Sequence, residues 1–341
     1  MTPATTVRIA LPSKGRMESE TMDFFARCDL RINKTNPRQY SALIPALPQV
    51  QVLFQRARDI PKSVAAGDVD LGITGYDLLA NALGDHREAI VVVHEALGYG
   101  QCELVAAVPG GWDEVSTLAD LAVRSEAAGG LRVATKHHNL VERFFAENGV
   151  PGIQIVAADG ALEAAPVVGY ADFIADVTST GTTLLENNLK PLEDGLIVRS
   201  EASLIGNRAG LAARDDLLDT TVHLLEFIEA HLRASGQYMV FANMRGESAE
   251  AIADLIYRQT ELGGLQGPTI SKILSRDPAN GWWAVNLVVR NQHLFSAVSQ
   301  LREIGGSGVV VTPVTYIFDE RPPRVQRLLE TLGKREEAAL P

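Results

Sequence analysis

Residues 176–184 read Asp-Val-Thr-Ser-Thr-Gly-Thr-Thr-Leu, a carboxylate followed by a hydroxyl-rich loop around one glycine. The apolar run from Phe173 to Val177 predicts a strand, and a helix is expected to begin near Leu184. Backbone N–H groups between a strand and a helix start make a cradle for phosphate, with the helix dipole behind them. Thr180, Thr182 and Thr183 add neutral donors, and Thr178, Ser179 and Gly181 complete the loop. Asp176, just before it, is placed to accept hydrogen bonds from ribose hydroxyls. The competing reading is a polar loop whose Ser and Thr side chains only cap.

Cationic residues recur at other strand ends. Lys14, Gly15 and Arg16 follow the run VRIAL (7–11), where positive heads can meet a nucleotide triphosphate; solvated surface cations are the alternative. Arg56 and Arg58 bracket the end of VQVLF (51–55), and arginine clamps phosphate bidentately. Asp70 and Asp77 flank Gly72 and Gly75, whose missing Cβ would let a base or ribose approach the backbone. Asp70 reads equally well as a turn cap. Lys136 ends LRVAT (131–135), a usual place for a ligand-facing residue in open α/β sheets. His137 and His138 have no third metal ligand at suitable spacing and read as solvent-facing or hydrogen-bonded. Cys28 and Cys102 read as ordinary buried thiols, and Trp282 and Trp283 as strand packing.

The elements that must carry these residues alternate. VQVLF, VDLGITG (69–75), CELVAAVP (102–109), LRVAT, IQIVAA (153–158) and DFIADV (172–177) are separated mostly by helical stretches. Asp59 and Pro61 open one such helix. NLVERFFAENG (139–149) is another, with Asn139 as N-cap and Gly149 as its end. That order predicts an α/β protein with largely parallel sheets. From residue 235 the order becomes β-α-β-β-α-β, which is ferredoxin-like. Its first helix carries Ile252, Leu255 and Ile256 on one stripe, and residues 221–236 form the connector. The charged tail from Pro322 is expected to fray.

The chain of 341 residues carries 31 Lys plus Arg and 42 Asp plus Glu. Residues 1–100 and 235–341 are each balanced, so the whole deficit of 11 charges lies in 101–234. An acidic chain without a basic arm argues against nucleic-acid polymers and anionic membranes as partners. No apolar run reaches membrane-spanning length, and a soluble cytoplasmic protein is expected.

Glu163, Gly169, Ala171, Ile174, Asp176, Val177, Thr180, Gly181, Thr183 and Leu184 fit the pattern E-x5-G-x-A-x2-I-x-D-V-x2-T-G-x-T-L. With ALPSKGRM (10–17), RARDIP (56–61) and GDVDLGITGYDLL (67–79), the chain resembles the ATP phosphoribosyltransferase family, which opens histidine biosynthesis. It departs at Glu103, where the family commonly has Arg, at His137-His138, where Tyr-Pro is usual, and in a long 262–282 connection. The resemblance implies a two-lobed core like type II periplasmic binding proteins. The first lobe would span 1–100 and 191–220 and the second 101–190, followed by a ferredoxin-like, ACT-like regulatory domain (236–320) and a tail (321–341).

The resemblance further implies transfer of phosphoribosyl from phosphoribosyl pyrophosphate to N1 of the adenine of ATP. Asp176, Glu163 and Lys14 would be catalytic, and Asp176 with Thr178–Thr183 would hold phosphoribosyl pyrophosphate. ATP would meet Lys14, Gly15, Arg16, Arg56, Arg58, Asp70, Gly75, Asp77 and Lys136. Mg2+ would be held mostly by substrate, with no dedicated protein cluster. Histidine would inhibit at Leu265, Thr269, Gly306, Ser307 and Gly308, in a hexamer of dimers. A non-catalytic two-lobed sensor and an inactive regulatory paralogue are the alternatives.

Overall fold

The computed structural model describes residues 6–36, 38–82, 84, 87–158, 160–259, 267–274 and 281–334. It divides into two units, residues 1–225 with 321–341, and residues 226–320.

In the first unit, β1 (Val7–Pro12), β2 (Ser41–Ile44), β3 (Leu47–Gln55), β4 (Leu71–Gly75) and β5 (Ile90–His94) belong to one sheet. The chain then crosses to a second sheet made of β6 (Cys102–Pro109), β7 (Leu131–Thr135), β8 (Ile153–Ala157), β9 (Phe173–Thr178) and β10 (Leu189–Ser200). It returns with β11 (Ala202–Asn207), giving strand orders β2-β3-β1-β4-β11-β5 and β10-β6-β9-β7-β8. This is the α/β, two-lobed order expected. The return comes at Ser200–Ala202 and not near 190, because β10 stays paired with β6 along its length despite two irregularities.

β1 runs parallel to β3 and β4, and β7 runs parallel to β8 and β9. Both sheets are buried as near-continuous apolar runs, with Ile9, Leu11, Leu71 and Ile73 in one and Val133, Phe173 and Ile174 in the other,. Local chemistry sets the helix ends. Thr117 and Asp120 form a capping box on the helix Leu118–Ala128, which ends at Gly129 with φ +72°,. His137, not Asn139, is the N-cap of the helix His138–Glu147.

The two sheets share a clamp at their N-terminal edges. Asp70, just before β4, accepts the Arg8 N–H of β1 at 2.7 Å. Asp172, just before β9, accepts the Arg132 N–H of β7 at the same distance. Arg214 closes on Asp70 at 2.8 Å and the Arg132 guanidinium on Asp172 at 2.9 Å. Asp70 is therefore a structural clamp at the edge away from Lys14, and its expected place in the ATP site is corrected.

The second unit contains β12 (Gln237–Arg245), β13 (Thr269–Lys272), β14 (Trp282–Arg290) and β15 (Ser307–Pro313), all antiparallel in the order β13-β14-β12-β15. Helices Ala249–Tyr257 and Leu294–Glu303 bury Ile252, Ile256, Ala297 and Leu301 against it. Leu255, expected on that stripe, is exposed. Trp283 packs on the core while Trp282 stacks under Arg245.

The expected frayed tail is instead the helix Pro323–Thr331, with Val325, Leu328 and Leu329 buried. Its stripe was hidden among charges, and one of those charges anchors it. Arg324 donates to both Glu95 oxygens at 2.9 Å, and that hydrogen bond lowers Glu95 from 4.5 to about 2. A lowered carboxylate adds stability that is complete above 4.5 and is lost as pH falls toward 2. Arg324→Leu should lower the melting temperature at pH 7 by about 1–3 °C. That difference should shrink in scans between pH 4.5 and 3; a constant difference would contradict the assignment.

Candidate active site

Parallel strands deliver their following loops to one edge of a sheet. Lys14 follows β1, Arg56 and Arg58 follow β3, and Asp77 follows β4. From the second sheet come Lys136 and His137 after β7, and Asp176 with its loop at the end of β9. Contacts between the two sets bring these edges together. Asn139 donates to the Asn81 carbonyl at 2.9 Å, and Asn81 accepts from the Leu140 N–H at 3.3 Å. His137 Nε2 lies 3.5 Å from Asp77 Oδ2.

Asp176 is 8% exposed, and its Oδ1 accepts the Val177 N–H at 2.9 Å. Burial pushes its pKa above the ordinary 3.8, the Lys136 charge opposes the rise, and Glu163 adds to it. Asp176 thus feels both the Lys136 cation and the Glu163 carboxylate. Beyond Asp176, Thr178 Oγ1 accepts the Gly181 N–H at 2.9 Å, folding the loop back on itself. Gly181 has φ +74°, a conformation that favours glycine, and the helix Thr182–Glu186 starts behind it,. Thr180 and Thr182 hydroxyls lie 3.0 Å apart, and Ser179, Thr180, Thr182 and Thr183 are exposed.

Arg16 does not join Lys14. Its guanidinium crosses to the loop, donating to Ser179 Oγ at 3.3 Å and to the Gln101 carbonyl at 3.1 Å, with Glu20 at 3.3 Å behind it. Lys14 instead lines a cavity of about 340 Å3 with Arg56, Ala57 and Arg58. Buried Thr74 holds that segment by donating to the Ala57 carbonyl at 2.8 Å. Gly15, φ +74°, forms the turn between Lys14 and Arg16. A larger cavity of about 750 Å3 is lined by Arg58, Lys62, Asn81, Lys136, His137 and His138, among others.

Two glycines serve the protein's own packing. A Cβ on Gly72 would lie 2.4 Å from Ile60, and one on Gly75 would lie 2.4 Å from Asp77 Oδ1. The space expected for a base or ribose is filled by a helix at Gly72 and by the Asp77 carboxylate at Gly75. Asp77 itself is fixed by Ser200, whose hydroxyl donates to Oδ1 at 2.6 Å and accepts the Asp77 N–H at 3.0 Å.

Sequence reasoning missed three participants. Ser200 lies at the crossing between sheets, and nothing local distinguishes it. Lys62 reads as one helical cation among many. His137, expected to face solvent or a hydrogen-bond partner, is buried against Asp77 while His138 is exposed; its place directly after Lys136 was the available signal. Glu103 pairs with Arg199 at 3.0 Å. Burial pushes the Cys28 thiol up to about 12 and raises Cys102, so neither is a ready nucleophile,. No group of three His, Cys, Asp or Glu side chains suited to a metal ion occurs among the described residues.

The sequence pattern of ATP phosphoribosyltransferase matches residues 56–227, and that of the HisG C-terminal domain matches residues 234–316. ATP phosphoribosyltransferase 2, chloroplastic, from Arabidopsis thaliana is 44% identical over 334 residues, covering 96% of this chain and 81% of its own length. The chain belongs to the ATP phosphoribosyltransferase family. The Rhodopseudomonas palustris (strain BisB18) ATP phosphoribosyltransferase is 35% identical over 326 residues, 94% of this chain and 96% of its own. Among solved structures, the ATP phosphoribosyl transferase (HisG:HisZ) complex from Thermotoga maritima matches with TM-score 0.52 and 24% identity. It covers 66% of this chain and 98% of that one, and speaks for the fold alone.

For this family member the charge between Lys136 and Asp176 is measurable. If ionised Asp176 serves the reaction, kcat/KM rises with pH through a pKa above 3.8. Lys136→Met removes the opposing cation, so that limb should move to still higher pH. A limb left in place would contradict the coupling.

Proposed function

We propose that this ATP phosphoribosyltransferase joins N1 of the adenine of ATP to C1 of phosphoribosyl pyrophosphate through the two facing loop edges. One observation carries the reading: the hydroxyl and amide loop after Asp176 opposes an edge bearing Lys14, Arg56 and Arg58. The loop suits the 5-phosphate, which needs donors more than net charge. Asp176 then receives the ribose hydroxyls, and with Glu163 it favours the electron-poor sugar carbon. Lys14, Arg56, Arg58 and Lys136 hold the polyphosphates, and Arg16 steadies the loop through Ser179.

N1 brings its own lone pair, so no strong general base is required. As the N1–C1 bond forms, the C1–oxygen bond breaks and its electron pair leaves on pyrophosphate. Catalysis then rests on aligning two anions and on fixed charges around the separating groups. Asp176 and Glu163 are too few to cage a cation, a donor set that suits Mg2+ carried in by substrate oxygens and water. When bound there, Mg2+ neutralises the leaving pyrophosphate.

Histidine inhibition and a homohexamer belong to the same proposal, centred on the second unit. Thr269 lies on β13 and Ser307 on β15, at opposite edges of a four-stranded sheet, three strand spacings or about 14 Å apart across the sheet and offset further along it,. Gly306 and Gly308 shape the turn into β15, where a Cβ on Gly306 would meet the Leu301 carbonyl at 2.5 Å. Leu265 lies outside the described residues. One histidine in one chain therefore contacts one edge, not both. No described helix is long and apolar enough to cross a membrane, and the reduced thiols of Cys28 and Cys102 suit a reducing compartment, which we take to be the cytoplasm,.

With ATP, phosphoribosyl pyrophosphate and Mg2+, Asp176→Ala should lower turnover about 100-fold or more, and Thr180→Ala about 10-fold, with melting temperatures retained. Phosphoribosyl-ATP formation at the wild-type rate in both would sink the site assignment. Thr269→Arg and Ser307→Arg, made separately, probe regulation. At least one should raise the half-inhibiting histidine concentration about tenfold while uninhibited turnover holds, and unchanged inhibition in both would refute the regulatory edge.

A further inference from the structure

His137 is 2% exposed, and its Nδ1 has no hydrogen-bond partner among the described residues. The rest of the residue is held firmly. Its backbone N–H donates to Thr135 Oγ1 at 3.0 Å, and the helix His138–Glu147 begins immediately after it. Nε2 faces Asp77 Oδ2 at 3.5 Å, and Ser200 holds the other Asp77 oxygen. A carboxylate against Nε2 favours the tautomer with the proton on that nitrogen, which leaves a lone pair on Nδ1. Burial pushes the His137 pKa down, and the carboxylates of Asp77 and Asp176 oppose that shift. An unpaired buried acceptor is costly, and a bound ligand is one way to supply the missing donor.

His137 also lines the 750 Å3 cavity that presents Arg58, Lys62 and Lys136 to a polyphosphate. A nucleotide with its phosphates on those cations would bring its base among the neutral groups of the same cavity. Adenine carries a donor beside the reacting atom, the 6-amino group next to N1. We propose that His137 Nδ1 accepts a hydrogen bond from the 6-amino group of adenine, making His137 a specificity-determining residue that orients N1. This rests on ATP being the acceptor substrate. As N1 gives its lone pair to C1 and pyrophosphate departs, positive charge spreads onto the amino group. Its hydrogens become stronger donors, so a neutral acceptor gains more in the transition state than in the ground state.

The test removes the contact from each side, using full-length protein. ATP is compared with purine riboside 5′-triphosphate, which keeps N1 and lacks the amino group. In His137→Phe, kcat/KM for ATP should fall about 10- to 100-fold, while the value for the purine analogue changes less than about threefold. Each substrate is compared with itself, so the different basicities of the two bases cancel. His137→Asn, which keeps an acceptor near Nδ1, should recover part of the ATP loss. Equal losses for both substrates, or no loss for ATP, would overturn the proposal. Should the Phe variant fail to fold by its melting curve, His137→Leu is read by the same criterion. A wild type that forms no product from ATP would instead defeat the underlying activity, a separate result.

Discussion

Parallel strand pairing is the constraint on which the catalytic unit depends. Because β1 runs with β3 and β4, and β7 with β8 and β9, the loops that follow these strands emerge on one edge of each sheet. The opposite edges are closed by matching clamps, Asp70 on Arg8 and Asp172 on Arg132. One edge of each lobe is thereby committed to holding the sheet and the other is left to the loops that follow the strands. Asp77, His137 and Ser200 then tie the ligand edges to each other across the two crossings.

That division explains why some residues were legible in the sequence and others were not. The loop 176–184 was readable because strand, carboxylate, hydroxyls, glycine and helix are contiguous, and the helix behind Gly181 follows. The ferredoxin-like order of the second unit was equally plain, since each strand and helix carries its own periodicity. Asp70 misled because a carboxylate beside a strand looks the same whether it faces a ligand or a neighbouring backbone N–H. Gly72 and Gly75 misled for a related reason: a missing Cβ makes room, and sequence does not say for whom. Arg16 and Lys14 are two residues apart yet serve different groups, a consequence of the left-handed turn at Gly15.

Distance in sequence hid the rest. Ser200 reaches Asp77 across 123 positions, and Arg324 reaches Glu95 across 229. Neither pairing leaves a local pattern. The tail was expected to fray because it is rich in charge, yet Val325, Leu328 and Leu329 share one helical face and are buried. The charge balance follows the same logic. Residues 101–234 hold the acidic excess and also the phosphate loop. In the proposed function that loop works through amides and hydroxyls, while the cations for polyphosphate come mostly from Lys14, Arg56, Arg58 and Lys62.

In the proposed function the loop's backbone shape, not its charge, holds the phosphoribosyl substrate. Gly181 isolates that shape, because a Cβ there meets nothing within 4 Å and acts only through φ +74°. Calorimetric titration of wild type and Gly181→Val with phosphoribosyl pyrophosphate plus Mg2+, and separately with ATP, measures it directly. Phosphoribosyl pyrophosphate affinity should fall at least tenfold, with ATP affinity and melting temperature held. Unchanged phosphoribosyl pyrophosphate affinity, or an equal loss for ATP, would contradict it.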